Sequence, residues 1–228
     1  MKRIAMISGF LLLIFGLTSP LTAQSWISKK SLNGEGLLVK QEMDIEGFTA
    51  IGLGIQAEVY LKQGNNYQVE IEAQQNIIDA LEKEVDDEQW DISFPNNLRV
   101  RNYKKVTIWI TMPTLTDVAI GGSGKIIGET PFKGLGDLEI SIGGSGMIQL
   151  AGDAKDAELN IAGSGTIQTE DLKVNNVEIS IAGSGKTYIH VDDGNMDVSV
   201  AGSGKVYYKG KARVSTSIAG SGSVKSID

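Results

Sequence analysis

Apolar and polar residues alternate over much of the second half of the chain. Residues 138–144 read Leu-Glu-Ile-Ser-Ile-Gly-Gly, and residues 177–183 read Val-Glu-Ile-Ser-Ile-Ala-Gly. Because neighbouring side chains of a strand point to opposite faces, this period of two predicts strands with one buried face. We expect the residues six, four and two positions before the first glycine of each Gly-Ser-Gly triplet to point inward.

The Gly-Ser-Gly triplet occurs six times and ends each alternating segment. Its first glycines lie at steps of 22, 19, 20, 19 and 18 residues. A repeat of about 20 residues is too short for helix-pair repeats or propeller blades, and the asparagine and leucine spacing of leucine-rich repeats is absent. The predicted fold class is therefore all-β: a single-stranded parallel β-helix, or solenoid, with ~20-residue rungs.

The two glycines of each triplet are predicted to form a structural corner, where the backbone bends and takes positive φ at low steric cost. We expect side chains larger than alanine to be poorly tolerated there. The predicted corner residues are Gly122, Gly124, Gly144, Gly146, Gly163, Gly165, Gly183, Gly185, Gly202, Gly204, Gly220 and Gly222.

The segment before the first triplet also predicts strands, at residues 57–61, 68–72, 90–94 and 106–111. Residues 64–66, Gly-Asn-Asn, indicate a turn, and residues 76–85 have apolar spacing compatible with one or two helical turns. Terminal units of solenoids differ from the middle ones. We therefore predict that residues 35–115 form a β-rich N-terminal cap and that residues 116–228 form the rungs.

The first 23 residues have the pattern of a secretory signal peptide. Lys2 and Arg3 precede an apolar stretch at 4–17, and Ala23 supplies a small residue before a cut at Gln24. The apolar stretch is shorter than the roughly 20 residues of a spanning helix. The prediction is an exported protein, periplasmic or extracellular, with no transmembrane span after cleavage and a short segment at 24–34 before the domain.

Charge and residue types exclude several function classes. The formal net charge is −7 and there is no Lys/Arg-rich run, which argues against a nucleic-acid partner. The chain has no cysteine and a single histidine, His190, so serine or cysteine triads are disfavoured. Residues 183–187, Gly-Ser-Gly-Lys-Thr, fail as a phosphate loop because Ser180 occupies the place of the first glycine. No cofactor is predicted.

A column of acids is predicted five residues before the triplets. Its members are Asp117, Glu139, Glu158, Glu178 and Asp197, with Ser215 ending the series. Neighbouring rungs are about 4.8 Å apart, so these carboxylates repel one another unless something neutralises them. Lys125, Lys186 and Lys205, directly after triplets, are the expected partners; a cation ladder is the alternative. The nonapeptide pattern of calcium-binding β-helices is absent, so no metal is predicted.

A second predicted column consists of the triplet serines, including Ser145, Ser164, Ser184 and Ser203. Such hydroxyls can hydrogen-bond to one another, or they can form a flat polar face for an extended polysaccharide. The two columns together are the candidate binding residues.

The chain resembles the putative auto-transporter adhesin, head GIN domain family of secreted Bacteroidetes proteins over roughly residues 35–228. The resemblance rests on Gly47-Phe48-x-x-Ile51, on residues 110–115 (Ile-Thr-Met-Pro-Thr-Leu) and on the repeated triplets. It implies a right-handed β-helix and adhesion. We expect no translocator barrel after Gly222.

The functional prediction is a non-enzymatic adhesin or structural module of the cell envelope. Its partners would be surface polysaccharide or another envelope protein, and homo-oligomers are expected because an open rung edge is a template for pairing. The alternative is a carbohydrate-active enzyme of pectin-lyase-like fold that uses rung carboxylates, as inverting pairs sit about 6.5 to 9.5 Å apart.

Overall fold

The computed structural model describes residues 30–227 as nineteen strands and one short helix. The predicted signal peptide lies outside these residues. The elements are β1 (Lys30–Asn33), β2 (Leu38–Met43), β3 (Ala50–Leu53), β4 (Ala57–Gln63), β5 (Gln68–Gln74), α1 (Gln75–Ala80), β6 (Val85–Asp86), β7 (Gln89–Ile92), β8 (Leu98–Arg101), β9 (Val106–Met112), β10 (Asp117–Gly122), β11 (Lys125–Gly128), β12 (Phe132–Gly144), β13 (Met147–Gly163), β14 (Thr166–Gly183), β15 (Lys186–Val191), β16 (Asn195–Gly202), β17 (Lys205–Lys209), β18 (Arg213–Gly220) and β19 (Ser223–Ser226).

The strands form a parallel β-solenoid of about six turns, which confirms the predicted fold class. Face A contains the strand segments that precede the triplets, in the spatial order β7, β3, β10, β12, β13, β14, β16 and β18. Face B contains the segments that follow them, in the order β9, β4, β11, β13, β14, β15, β17 and β19. β13 and β14 run through both faces, joined by a shorter third face.

Apolar ladders fill the inside of the solenoid. The predicted inward positions are buried in four successive rungs, for example Leu138, Ile140 and Ile142 in the first of them. The register stacks Ile142, Ile161, Ile181 and Val200 one above another. Thr116 departs from the pattern and is exposed, with its hydroxyl near the Thr49 carbonyl oxygen at 3.2 Å.

The triplets form the corner between face A and face B, as predicted. The first glycine of each triplet has positive φ, from +124° to +141°, whereas the second glycine does not, so the predicted positive φ is confirmed for the first glycine only. The serine N–H that follows it donates to the carbonyl oxygen of the first glycine one rung back, at 2.8 Å between Ser164 and Gly144. A Cβ on Gly163 would overlap that same carbonyl group. The corner therefore needs glycine both for its φ angle and for the close approach of two backbones.

The segment before the first triplet caps the solenoid, but its order in space differs from its order in the chain. The rung made by β3 and β4 lies between the later rung of β7 and β9 and the rung of β10 and β11. Antiparallel pairing of β9 with β5, and of β5 with β2, then closes this end of face B. The predicted strands and the turn at 64–66 are present, and the helical segment is the six-residue α1.

The rung of β18 and β19 is the last one described. Its inward positions lack a covering rung among residues 30–227, and Val214 and Ile218 are 38% and 41% exposed. Among those residues, no helix is long and apolar enough to cross a bilayer.

Candidate binding surfaces

The register places the acid column on face A as predicted from the spacing. Asp117 pairs with Glu139, Glu139 with Glu158, Glu158 with Glu178, and Glu178 with Asp197. Residues two positions later support two of these carboxylates: Ser141 Oγ donates to Glu139 at 3.2 Å, and Asn160 Nδ2 donates to Glu158 at 2.9 Å.

The lysines that were expected to neutralise this column do not do so, and that prediction is wrong. Lys125 lies on face B, with its Nζ 4.0 Å from Glu58, and Lys186 and Lys205 stack on the same face. Each triplet turns the chain through a corner, so the residue after it projects away from the acids before it. Among residues 30–227, no lysine or arginine forms an ion pair with the acid column.

A second polar column, seven residues before the first glycine of the last five triplets, runs beside the acids; Leu115, which is buried, holds this position before Gly122. It contains Asp137, Asp156, Asn176, Asn195 and Arg213. Hydrogen bonds connect four of these residues in one direction. Arg213 Nε donates to Asn195 Oδ1 at 3.0 Å, Asn195 Nδ2 to Asn176 Oδ1 at 3.1 Å, and Asn176 Nδ2 to Asp156 Oδ1 at 2.7 Å.

Sequence reasoning missed this amide column, although its signal was available. The five residues hold one position in the repeat frame, and every one of them is polar or charged. The column has no uniform residue type to mark it, because its members change from Asp to Asn to Arg and Leu115 holds the same position before the first triplet.

The two columns line an open groove of about 660 Å³, which we call the acid groove. One wall carries Glu139, Glu158, Glu178 and Asp197, and the other carries Asp137, Asp156, Asn176 and Asn195. Leu138, Ala157 and Val177 lie between the walls and are almost completely buried. The groove therefore offers hydrogen-bonding groups on both walls at each of these rungs, while the apolar side chains between the walls point into the core.

The carboxyl groups of the two columns differ in pKa. The amide of Asn176 and then the ammonium group of Lys155 hold the pKa of Asp156 below its ordinary value. At the N-terminal end of the acid column, burial and then repulsion from Glu139 and Asp91 raise the pKa of Asp117 to about 6. A half-buried carboxyl group next to another carboxylate holds its proton more tightly.

The triplet serines form an exposed row along the corner, as their spacing predicted. Hydrogen bonds between neighbouring serine hydroxyls are not present in residues 30–227; the serine backbone N–H groups carry the inter-rung bonds instead. Ser145, Ser164, Ser184 and Ser203 therefore present hydroxyls to solvent beside face A.

The remaining candidates do not assemble a catalytic or phosphate site. Lys186 is exposed while Thr187 is buried on the opposite side of the same strand, so residues 183–187 cannot enclose a phosphate group. His190 lies on face B, next to Lys209 and away from the acid column. No group of metal-binding side chains is present in the described part of the chain.

The fold and these surfaces define a class of repeat protein: a parallel β-solenoid whose candidate binding surfaces are open faces rather than enclosed pockets. Within this class, the chain belongs to the family described as "Putative auto-transporter adhesin, head GIN domain", whose model matches residues 47–212.

Solved structures support this assignment. A putative adhesin from Bacteroides fragilis is 27% identical, with a TM-score of 0.70, and the match covers 86% of this chain and 100% of that chain. A putative adhesin from Parabacteroides merdae (23% identical) and a putative lipid binding protein from Parabacteroides distasonis (22% identical) each have a TM-score of 0.54, with 87% of this chain and 100% of those chains covered. These two likenesses show the fold alone. No curated protein matches the chain.

Proposed function

We propose that the protein is an exported, non-enzymatic binding module of the bacterial cell envelope, and that it holds an extended polysaccharide in the acid groove. The observation that carries this proposal is the groove itself, with two hydrogen-bonding walls that repeat over four successive rungs. Family membership supports a role in adhesion at the surface.

The chemistry of the walls suits sugar hydroxyls. Carboxylates accept hydrogen bonds, and the amides of Asn176 and Asn195 both donate and accept them. Small molecules prefer enclosed apolar pockets, whereas an open groove across several rungs suits a polymer.

A glycan array with neutral and charged polysaccharides tests the proposal. The double variant Glu158→Gln and Glu178→Gln should bind its neutral hits about 30-fold more weakly, because each lost charged hydrogen bond costs about 1 kcal/mol and the two together about 2 kcal/mol. The matched control removes two exposed carboxylates elsewhere, by Glu42→Gln and Asp171→Asn, and should bind like the parent. Equal binding by all three proteins, or no hit on the array, would exclude the acid groove as the glycan site.

One observation favours the alternative of a carbohydrate-active enzyme. Asp117 has a pKa raised to about 6 and stacks on Glu139 in the adjacent rung, where strands are about 4.8 Å apart. Retaining glycosidases use a protonated acid and a carboxylate about 5 to 5.5 Å apart. Incubation of each array hit with the protein, followed by an assay for new reducing ends, separates the functions. If the protein releases sugar and Asp117→Asn abolishes that release, the function is catalysis rather than binding alone.

A further inference from the structure

Face B of the last three described rungs has a charge opposite to that of the acid groove. Its outward side chains include Lys186, Tyr188, Lys205, Tyr207, Lys209 and Lys225, which we call the lysine–tyrosine face. The outward positions of β15, β17 and β19 contain no carboxylate, while face A of the same rungs carries Glu178 and Asp197 together with Arg213 and no lysine. This separation is notable in a chain of net charge −7.

The register arranges these side chains in two parallel columns. Lys186 stacks on Lys205, and in the next column Tyr188 stacks on Tyr207, which pairs with Lys225. The two tyrosine rings are stacked, with centroids 4.9 Å apart and an interplanar angle of 15°. Because the ring faces cover each other, the rings are held in place, and the columns place phenol groups beside ammonium groups.

The lysines have no partner within the described residues. Ion pairs in residues 30–227 use Lys40, Lys62, Lys105, Lys125 and Lys155, and no hydrogen bond of the Lys186, Lys205 or Lys225 ammonium groups is present. Stacked like charges about 4.8 Å apart repel each other. An anion placed over both ammonium groups removes that repulsion.

We propose that the lysine–tyrosine face is a second binding site, separate from the acid groove, and that its ligand is a linear anionic polysaccharide bearing carboxylate or phosphate groups. The ammonium groups bind the anions, and the tyrosine hydroxyls hydrogen-bond to the sugar units. A repeating polymer fits because the cations recur from rung to rung along the axis. A bilayer surface is disfavoured, because the outward side chains of β15 and β17 are charged, aromatic or imidazole groups without the broad aliphatic face that membrane insertion needs.

Biolayer interferometry tests the site with immobilised polygalacturonate, a phosphate-bearing mannan and neutral dextran. The parent should bind at least one anionic polymer and not dextran, and binding should weaken as salt is raised, because counterions compete for the lysines. The double variant Lys186→Gln and Lys205→Gln should bind about 10-fold more weakly. The matched control Lys83→Gln and Lys133→Gln makes the same change in net charge outside the lysine–tyrosine face and should keep the parent affinity.

A second variant pair separates the tyrosine hydroxyls from the tyrosine rings. Tyr188→Phe with Tyr207→Phe keeps the stack and should weaken binding about 3-fold, whereas their replacement by alanine should weaken it further. Circular dichroism confirms that each variant retains the parent's strand signal.

Several outcomes would overturn the site. The site is excluded if neither anionic polymer binds at low salt, if the Lys83/Lys133 control loses as much affinity as the Lys186/Lys205 variant, or if dextran binds as well as the anionic polymers. The acid-groove variants Glu158→Gln and Glu178→Gln should leave polygalacturonate binding intact. Failure of the acid-groove proposal and failure of this one are therefore distinguishable.

Discussion

Single residues decide whether a rung can turn its corner. Gly163 combines a φ of +129° with a position where a Cβ would overlap the Gly144 carbonyl group. Gly143 is also a glycine next to a corner, but its Cβ would lie 3.8 Å from the nearest atom, Ile120 O, and the equivalent position in the next rung is Ala162. The two glycines therefore have opposite tolerance for a methyl group.

Gly163→Ala should lower the free energy of unfolding by about 3 kcal/mol, through backbone strain and steric overlap. Gly143→Ala should raise it by about 0.5 kcal/mol, because alanine reduces the entropy of the unfolded chain. Urea denaturation measures both. A Gly163→Ala variant as stable as its Gly143→Ala counterpart would contradict the corner geometry.

Two buried threonines differ in hydrogen bonding. Thr169 Oγ1 donates to the Tyr188 carbonyl oxygen at 2.6 Å, whereas Thr187 Oγ1 has no partner and stacks between Ile167 and Val206. Thr187→Val should stabilise the protein by about 1 kcal/mol, and Thr169→Val should destabilise it by a similar amount. The melting temperatures of the two variants measure this difference. A shift in the same direction for both variants would contradict it.

Asp117 should make stability depend on pH. Its folded pKa, about 6, lies above the value of about 4 in an unfolded chain, so the folded state binds more protons between these two pH values. The contribution of Asp117 to the free energy of unfolding should therefore fall as pH rises from 4 to 6. Above pH 6 that contribution should stay constant. Asp117→Asn should raise the free energy of unfolding by about 1 kcal/mol at pH 8, allowing for partial exposure, and by nothing at pH 4. An equal gain at both pH values would show that charge is not the cause.

At the scale of strands, stacking of identical positions turns side chains into columns. The amide column links separate rungs by side-chain hydrogen bonds in addition to the backbone ladder. Asn176 is its centre, because it donates to Asp156 and accepts from Asn195.

Asn176→Ala should lower the free energy of unfolding by about 1 kcal/mol, because both hydrogen-bonding partners lose a bond at a partly solvated site. Asn175→Ala is the matched control: this neighbour is exposed and its side chain makes no hydrogen bond within residues 30–227. A double-mutant cycle with Asp156→Ala then isolates the coupling. Equal stability of the two single variants would mean that the column adds nothing to the backbone pairing.

At the scale of the whole molecule, the solenoid has unequal ends. The N-terminal end is closed by β2, β5 and α1, while β18 pairs on one side only among the described strands. The homo-oligomer expected from the sequence stays a prediction. Light scattering should show a mass above the monomer that increases with protein concentration, and Ile218→Lys should reduce it more than Ser217→Lys on the outward face. A monomer at every concentration would exclude pairing through this rung.

The rung period, the inward ladders, the glycine corners and the acid column were predictable from the sequence. Each depends on a local property, alternation at period two or the φ angle of glycine, which the chain repeats in every rung. The sequence alone therefore determined the architecture of the Gly-Ser-Gly rungs and the position of the acid column on face A.

Only the tertiary structure decided which columns face each other. Lys186 and Glu178 are eight positions apart, yet the corner places them on different faces, and distance along the chain does not give the direction of that turn. Rungs of 18 to 22 residues also leave the register of the third face open. The insertion of β3 and β4 between β7–β9 and β10–β11 depends on pairing between residues far apart in the chain, which no local pattern encodes.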